Sequence, residues 1–174
     1  METWKEFDQN VITHSAAHHL MAIDDLVGRF GYARVSDIAR QLSITRGSVS
    51  ISLKPLKEAA LILQDENRHL RLSPQGQKLV DAIKGKHQII KRFFSDILGV
   101  EEAQADIDAC KIEHLISGQT ARRIIAFFRF LDTKDGPSPE FLSKWRTYEA
   151  ECDQRPEGCP TCEDKCVARD VTET

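Results

Sequence analysis

Residues 106–114 read Asp-Ile-Asp-Ala-Cys-Lys-Ile-Glu-His. On a helix, Asp106, Cys110, Glu113 and His114 fall at i, i+4, i+7 and i+8 and so share one face. A thiolate, a carboxylate and an imidazole turned to one side are the donor types of a divalent transition-metal site. His87 upstream and His18 near the N-terminus bring the candidate ligands to five: His18, His87, Cys110, Glu113 and His114. Singly, each is as well explained as a hydrogen-bonded or solvated polar side chain; the joint spacing is what points to a metal. Manganese prefers carboxylate oxygen, whereas a thiolate with several imidazoles suits Fe(II), Co(II) or Zn(II) better. Fe(II) is therefore the expected ion, with Zn(II) and Mn(II) as alternatives.

A second group of sulfurs lies near the C-terminus. Cys152, Cys159, Cys162 and Cys166 are spaced C-x6-C-x2-C-x3-C, with Gly158 and Pro160 between them to turn the chain. Four thiolates this close can hold tetrahedral Zn(II) or an iron–sulfur cluster. The same residues also read as a tail of unliganded thiols, or as disulfides formed on isolation.

Stepping outward from the ligands, helical periodicity marks residues 11–30, with Gly31 as the stop, and a short helix over 36–42 opened by a Ser36 cap. A third helix starts at Thr45, with Val49, Leu53, Leu56 and Ala60 turned inward. Pro55 inside it predicts a kink or an early end. Residues 61–64 and 69–72 read as two strands around a polar turn. Ser73-Pro74 then caps a long helix running to about residue 98. Helices over 101–117, 119–131 and 140–151 complete the pattern. The expected fold is mostly α: an N-terminal winged helix-turn-helix (1–84), an all-helical dimerisation domain (85–135), and a C-terminal helix with a Cys-rich tail (136–174). On the 119–131 helix, Ile124, Phe127, Phe128 and Leu131 form an apolar stripe beside Ile125 and Phe130. That is the surface of a subunit interface or of a buried core helix, and the pattern alone leaves both open.

The net charge of −3 conceals a basic stretch: residues 34–99 carry twelve Lys/Arg against six Asp/Glu. Such a surplus inside an acidic chain fits a phosphate-facing surface. A recognition helix reads bases with its first turn. Thr45, Arg46, Ser48 and Ser50 suit that role, while Lys54, Arg34 and the wing's Arg68 suit backbone phosphates. Thr45 reads equally as a helix cap, and any one surface Arg or Lys as simply solvated. The expected partner is double-stranded operator DNA.

Gly31-Tyr32-Ala33-Arg34-Val35-Ser36-Asp37-Ile38-Ala39, Ser48-Val49-Ser50, Lys86-His87 and Cys110-Lys111-Ile112-Glu113-His114 follow in that order. Over residues 11–131 this resembles the diphtheria-toxin-repressor and manganese-transport-regulator family of iron- and manganese-dependent repressors, in its short form without an SH3-like domain. The resemblance implies a homodimer that binds palindromic operators when Fe(II) or Mn(II) is abundant and represses metal-uptake genes. It implies that Cys110, Glu113 and His114 match the regulatory ligands of iron-type members and that His87 matches a histidine of both branches. His18 stands where those relatives place a methionine or an aspartate. It further implies that one ion ties the first helix, through His18, to the dimerisation half. Met21 replaces a carboxylate of the manganese type, and Lys91 an acidic ligand of the iron type's ancillary site, so no second ion is expected there.

The chain contains no glycine-rich phosphate loop or nucleophile elbow, so a small metalloenzyme using Cys110 and His114 is disfavoured and no catalytic residue is expected. A winged-helix regulator sensing redox or iron–sulfur status through the C-terminal cysteines is the other alternative. An acidic, polar N-terminus and no apolar run of bilayer length give a cytoplasmic expectation with no membrane partner.

Overall fold

The computed structural model describes residues 12–133, 136–137 and 139–148. The chain divides into one unit ending at Gly136 and another beginning at Pro137. Among its described residues the first unit holds α1 (His14–Phe30), α2 (Val35–Gln41) and α3 (Arg46–Glu58), followed by the antiparallel pair β1 (Ile62–Gln64) and β2 (Leu70–Leu72). Then come α4 (Pro74–Arg92), a π turn (Phe93–Ile97), α5 (Glu102–Ile112) and α6 (Gly118–Leu131). In the second unit α7 covers Pro139–Arg146, shorter than the predicted 140–151. The described residues are thus mostly helical, with a two-stranded wing after three N-terminal helices.

Short polar side chains set most helix starts. Thr13 Oγ1 accepts from Ala16 N, Thr45 Oγ1 from Ser48 N, Ser73 Oγ from Gly76 N and Ser117 Oγ from Thr120 N, all at 3.0–3.2 Å. Losing such a cap costs about 1 kcal/mol. The Ser36 cap is a correction: the cap position lies two residues earlier, at Arg34, without a side-chain bond, and Ser36 Oγ donates to Asp37. Pro55 does not end α3, which continues to Glu58. Its missing amide would have served the carbonyl of Ile51, a residue 75% exposed, where water can take over. The long fourth helix gives way before residue 98 to the π turn. There Leu98 N donates to Phe93 O and Val100 N to Phe94 O, a closure that left-handed Gly99 (φ 73°) permits.

Leu20 and Ile23 of α1, Ile38 of α2, Val49 and Leu53 of α3, Leu70 of β2 and Val80 of α4 are fully buried in one cluster. Burial of each contributes about 1.5–3 kcal/mol. Farther along, Ile90, Ile97, Ala105 and Ala109 are buried where α4 packs against the π turn and α5. On α6 only Ala121 is buried, while Ile125, Phe127 and Phe130 are 37–49% exposed. Within one chain, then, α6 is not a core helix. Among the described residues no helix is long and apolar enough to cross a membrane.

Two glycines of α4 should respond to the same substitution with opposite signs. A Cβ on Gly76 would lie 2.1 Å from the carbonyl oxygen of Leu61, whereas one on Gly85 meets nothing within 4 Å. Gly76→Ala is expected to destabilise by about 1–3 kcal/mol or more through overpacking. Gly85→Ala should stabilise by about 0.5–1 kcal/mol through helix propensity. Urea-unfolding midpoints of the two variants check this pair.

Candidate metal centre

Folding brings α1 to α5. His18 Nε2 lies 3.4 Å from Cys110 Sγ, although the residues are 92 apart in sequence. One turn before His18 stands His14, whose ring centroid is 4.4 Å from that of His18 and 4.9 Å from that of His114. The ligand atoms of His14, His18 and Cys110 all lie within 4.8 Å of one another. His14 was not among the expected ligands. Its signal was the His-x3-His repeat that puts both imidazoles on one side of α1.

His87, from α4, faces a second pair. Its Nδ1 is 2.7 Å from Glu113 Oε2 and its Nε2 is 3.2 Å from Asp106 Oδ1. Glu113 and His114 do not continue the regular helix, since α5 ends at Ile112; Glu113 caps it and His114 falls in the turn that follows. Glu113 is only 1% exposed. Its Oε1 and the Nδ1 of His114 are buried without a hydrogen-bond partner among the described residues. An unsatisfied buried polar atom costs about 1–3 kcal/mol. Each is the kind of orphaned atom a divalent cation satisfies, and beside the gathered His14, His18 and Cys110 the donor types present fit such an ion.

Electrostatics prepares the same atoms. Burial, then the neighbouring His14, His114 and His19, lowers His18 below its ordinary 6.5. Burial, then His14 and Lys86, does the same for His114. Both imidazoles are therefore held neutral, as ligation requires. Burial, then the carboxylates of Glu113 and Asp106, pushes the Cys110 thiol above 9.0, so it keeps its proton until a cation displaces it. Burial likewise raises the Glu113 carboxyl against the opposing pull of His87. Lys91 Nζ sits 3.1 Å from Asp106 Oδ1 and 3.2 Å from Glu102 Oε1. Its ammonium, followed by His87, holds Asp106 below the usual carboxylate range. An internal cation thus already bridges that acidic pair.

On α3, Val49, Leu53 and Leu56 face inward while Arg46, Ser50, Ile51 and Lys54 are exposed. Three of the expected contacts are spoken for locally. Thr45 is the helix cap, Ser48 Oγ lies 2.8 Å from Thr45 Oγ1, and Ser50 Oγ donates to Arg46 O. Arg34 lies over the Tyr32 ring with its Nη2 3.0 Å from His69 Nε2. Arg68 takes a left-handed φ of 62° in the wing turn. Lys57 Nζ donates to Gln64 Oε1 at 2.7 Å and ties α3 to the wing. Cys152, Cys159, Cys162 and Cys166 lie outside the described residues.

A helix-turn-helix with a wing, followed by helices on which imidazoles, a thiol and carboxylates converge, defines a metal-responsive DNA-binding regulator. Residues 73–142 match the family model described as iron dependent repressor, metal binding and dimerisation domain. The chain is 34% identical over 132 residues to the HTH-type transcriptional regulator MntR of Lysinibacillus sphaericus (strain C3-41), covering 76% of this chain and 91% of that one. Among solved structures it resembles T. acidophilum IdeR (28% identity, TM-score 0.56; 65% of this chain, 53% of that one). It also resembles the manganese regulator SloR (25%, 0.60; 66% and 53%). The likeness spans about half the length of those two solved chains. The chain belongs to the DtxR/MntR family of metal-dependent transcriptional repressors. It is a regulator of transcription, not an enzyme.

The lowered imidazoles give the metal-free protein a pH signature. A histidine whose folded pKa lies below its unfolded one binds fewer protons in the native state, so stability is intact above the unfolded value and declines on acidification. The melting temperature of chelator-treated protein is expected to fall as pH drops below 6.5, the ordinary value of both groups. Thermal melts across that range should show a smaller fall in the double variant His18→Gln, His114→Gln.

Proposed function

We propose that this chain acts as a homodimer that binds operator DNA and represses metal-uptake genes when a divalent ion is held by His18, His87, Cys110, Glu113 and His114. Supporting this reading above all is the 3.4 Å approach of His18 Nε2 to Cys110 Sγ. Bound there, the ion supplies a cross-link between α1 and α5. His18 lies on a helix packed against α3, so fixing α1 fixes the helix that carries Arg46 and Lys54. The exposed Ile125, Phe127 and Phe130 supply an apolar face for a second copy. Residues 1–84 serve as the reading head, 85–135 as the metal-binding and pairing half, and 136–174 as an appendage.

Two recognition helices read half-sites only when held about 34–36 Å apart, one turn of DNA. Where that arrangement is populated to about 1% without metal, a preference of about 5.5 kcal/mol for it brings it to about 99%. Fe(II) is the preferred ion, because a thiolate among imidazoles suits it better than Mn(II); Mn(II) and Zn(II) are the alternatives. For the four C-terminal cysteines, Zn(II) or an iron–sulfur cluster is proposed on their spacing alone. The cytoplasm is the proposed location.

Fluorescence anisotropy with operator DNA, using chelator-treated protein and then anaerobic Fe(II), Mn(II) or Zn(II), tests the reading. Fe(II) should tighten binding at least about tenfold, roughly 1.4 kcal/mol. Cys110→Ser should lose that response yet keep weak, salt-sensitive binding. Lys54→Ala should lower the salt slope by about one. Operator binding indifferent to chelator would sink the proposal.

A further inference from the structure

We infer that His14 is itself a ligand of the regulatory ion and that it turns the site's selectivity away from Mn(II) and toward metals that favour nitrogen and sulfur. The inference rests on the proposed bridging site and adds to it a residue that neither the motif nor the family pattern supplied.

Three observations carry it. First, His14 and His18 are four residues apart on α1, and a pair of histidines at that spacing presents two imidazoles to one ion. Second, the donor atoms of His14, His18 and Cys110 already gather within 4.8 Å. Metal bonds of 2.0–2.1 Å to nitrogen and 2.3 Å to sulfur put those two atoms roughly 3.5 Å apart at a tetrahedral angle and roughly 3.1 Å at a right angle. The observed 3.4 Å between His18 Nε2 and Cys110 Sγ is nearer the tetrahedral edge. Third, His114 keeps a buried Nδ1 without a partner among the described residues, and its ring lies 4.9 Å from that of His14. A third nitrogen donor, the fourth donor in all, therefore stands beside the triad.

His87 and Glu113, by contrast, are engaged with each other at 2.7 Å, and Asp106 takes the far nitrogen of His87. His14, His18 and Cys110 thus sit together, while Glu113 keeps its other oxygen, Oε1, without a partner among the described residues. Two imidazoles and a thiolate from one cluster are a softer set than Mn(II) selects, and they suit tetrahedral Zn(II) or Co(II) and, among the activating ions, Fe(II) over Mn(II). His14 supplies one of the three. Because it is exposed, its replacement leaves the core intact.

Full-length protein titrated with Co(II), Zn(II) and Mn(II) against a competing chelator, alongside His14→Ala, His14→Asp and Cys110→Ser, tests this. Removing even an outer-shell partner of a ligand commonly costs about 10–100-fold in affinity. His14→Ala should therefore weaken Co(II) and Zn(II) binding at least about tenfold while shifting Mn(II) by less than about threefold. Its Co(II) complex should keep the sulfur-to-metal charge-transfer band and lose intensity in the visible ligand-field bands as tetrahedral coordination is lost. His14→Asp should raise Mn(II) affinity relative to Zn(II), since an oxygen donor replaces a nitrogen. Unchanged Co(II) spectra and Zn(II) affinity in His14→Ala, with both altered in Cys110→Ser, would overturn the role of His14 and leave the bridging site standing. Wild-type behaviour in Cys110→Ser as well would overturn both.

Discussion

The meeting of an imidazole from α1 with a thiol from α5 makes one object of two otherwise separate tasks. One face of α1 is committed to the apolar cluster through Ala17, Leu20 and Ile23, and it is this packing that holds α1 against α3. His14 and His18, on another side of the same helix, stand among groups that burial keeps uncharged or protonated. Such a cluster gains little from its own members. Glu113 oxygen and His114 nitrogen remain without hydrogen bonds among the described residues, and Cys110 retains its proton. Binding of a cation is therefore coupled to the settling of the fold, in the sense that ligand binding to the native state adds to its stability.

Charge is apportioned around the centre with the same economy. His87 joins Glu113 to Asp106, and Lys91 joins Asp106 to Glu102, so a chain of alternating donors and acceptors runs along the α4–α5 seam. The outer part of this chain is solvent-facing and contributes modestly, as exposed ion pairs do. Its inner end differs: Glu113 is buried, and its Oε2 lies 2.7 Å from His87 Nδ1.

Local chemistry was legible in the sequence where the interaction is local. Thr45, Ser73-Pro74 and Gly31 announce helix ends because their partners lie within four residues. The apolar residues on either side of the polar turn announce β1 and β2, and spacing placed Cys110 among the donors that gather with His18. What spacing could not convey was tertiary. His14 looks like any polar residue at a helix start until His114, one hundred positions later, is placed beside it. The π turn depends on bonds that skip five and six residues, which no helical periodicity encodes. Ser36 had the composition of a cap but lost the position to Arg34, because α2 begins two residues sooner than a Ser36 cap would set it.

α4 runs unbroken for 19 residues from the foot of the wing to the π turn. At 1.5 Å per residue it is a rod of about 28 Å. A tilt of only about 5° about one end sweeps the other through roughly 2.5 Å. That is most of the 3.4 Å separating successive nucleotides on a strand. A sub-ångström adjustment near His87, levered about the end of the rod at the π turn, would displace its wing end by about that much.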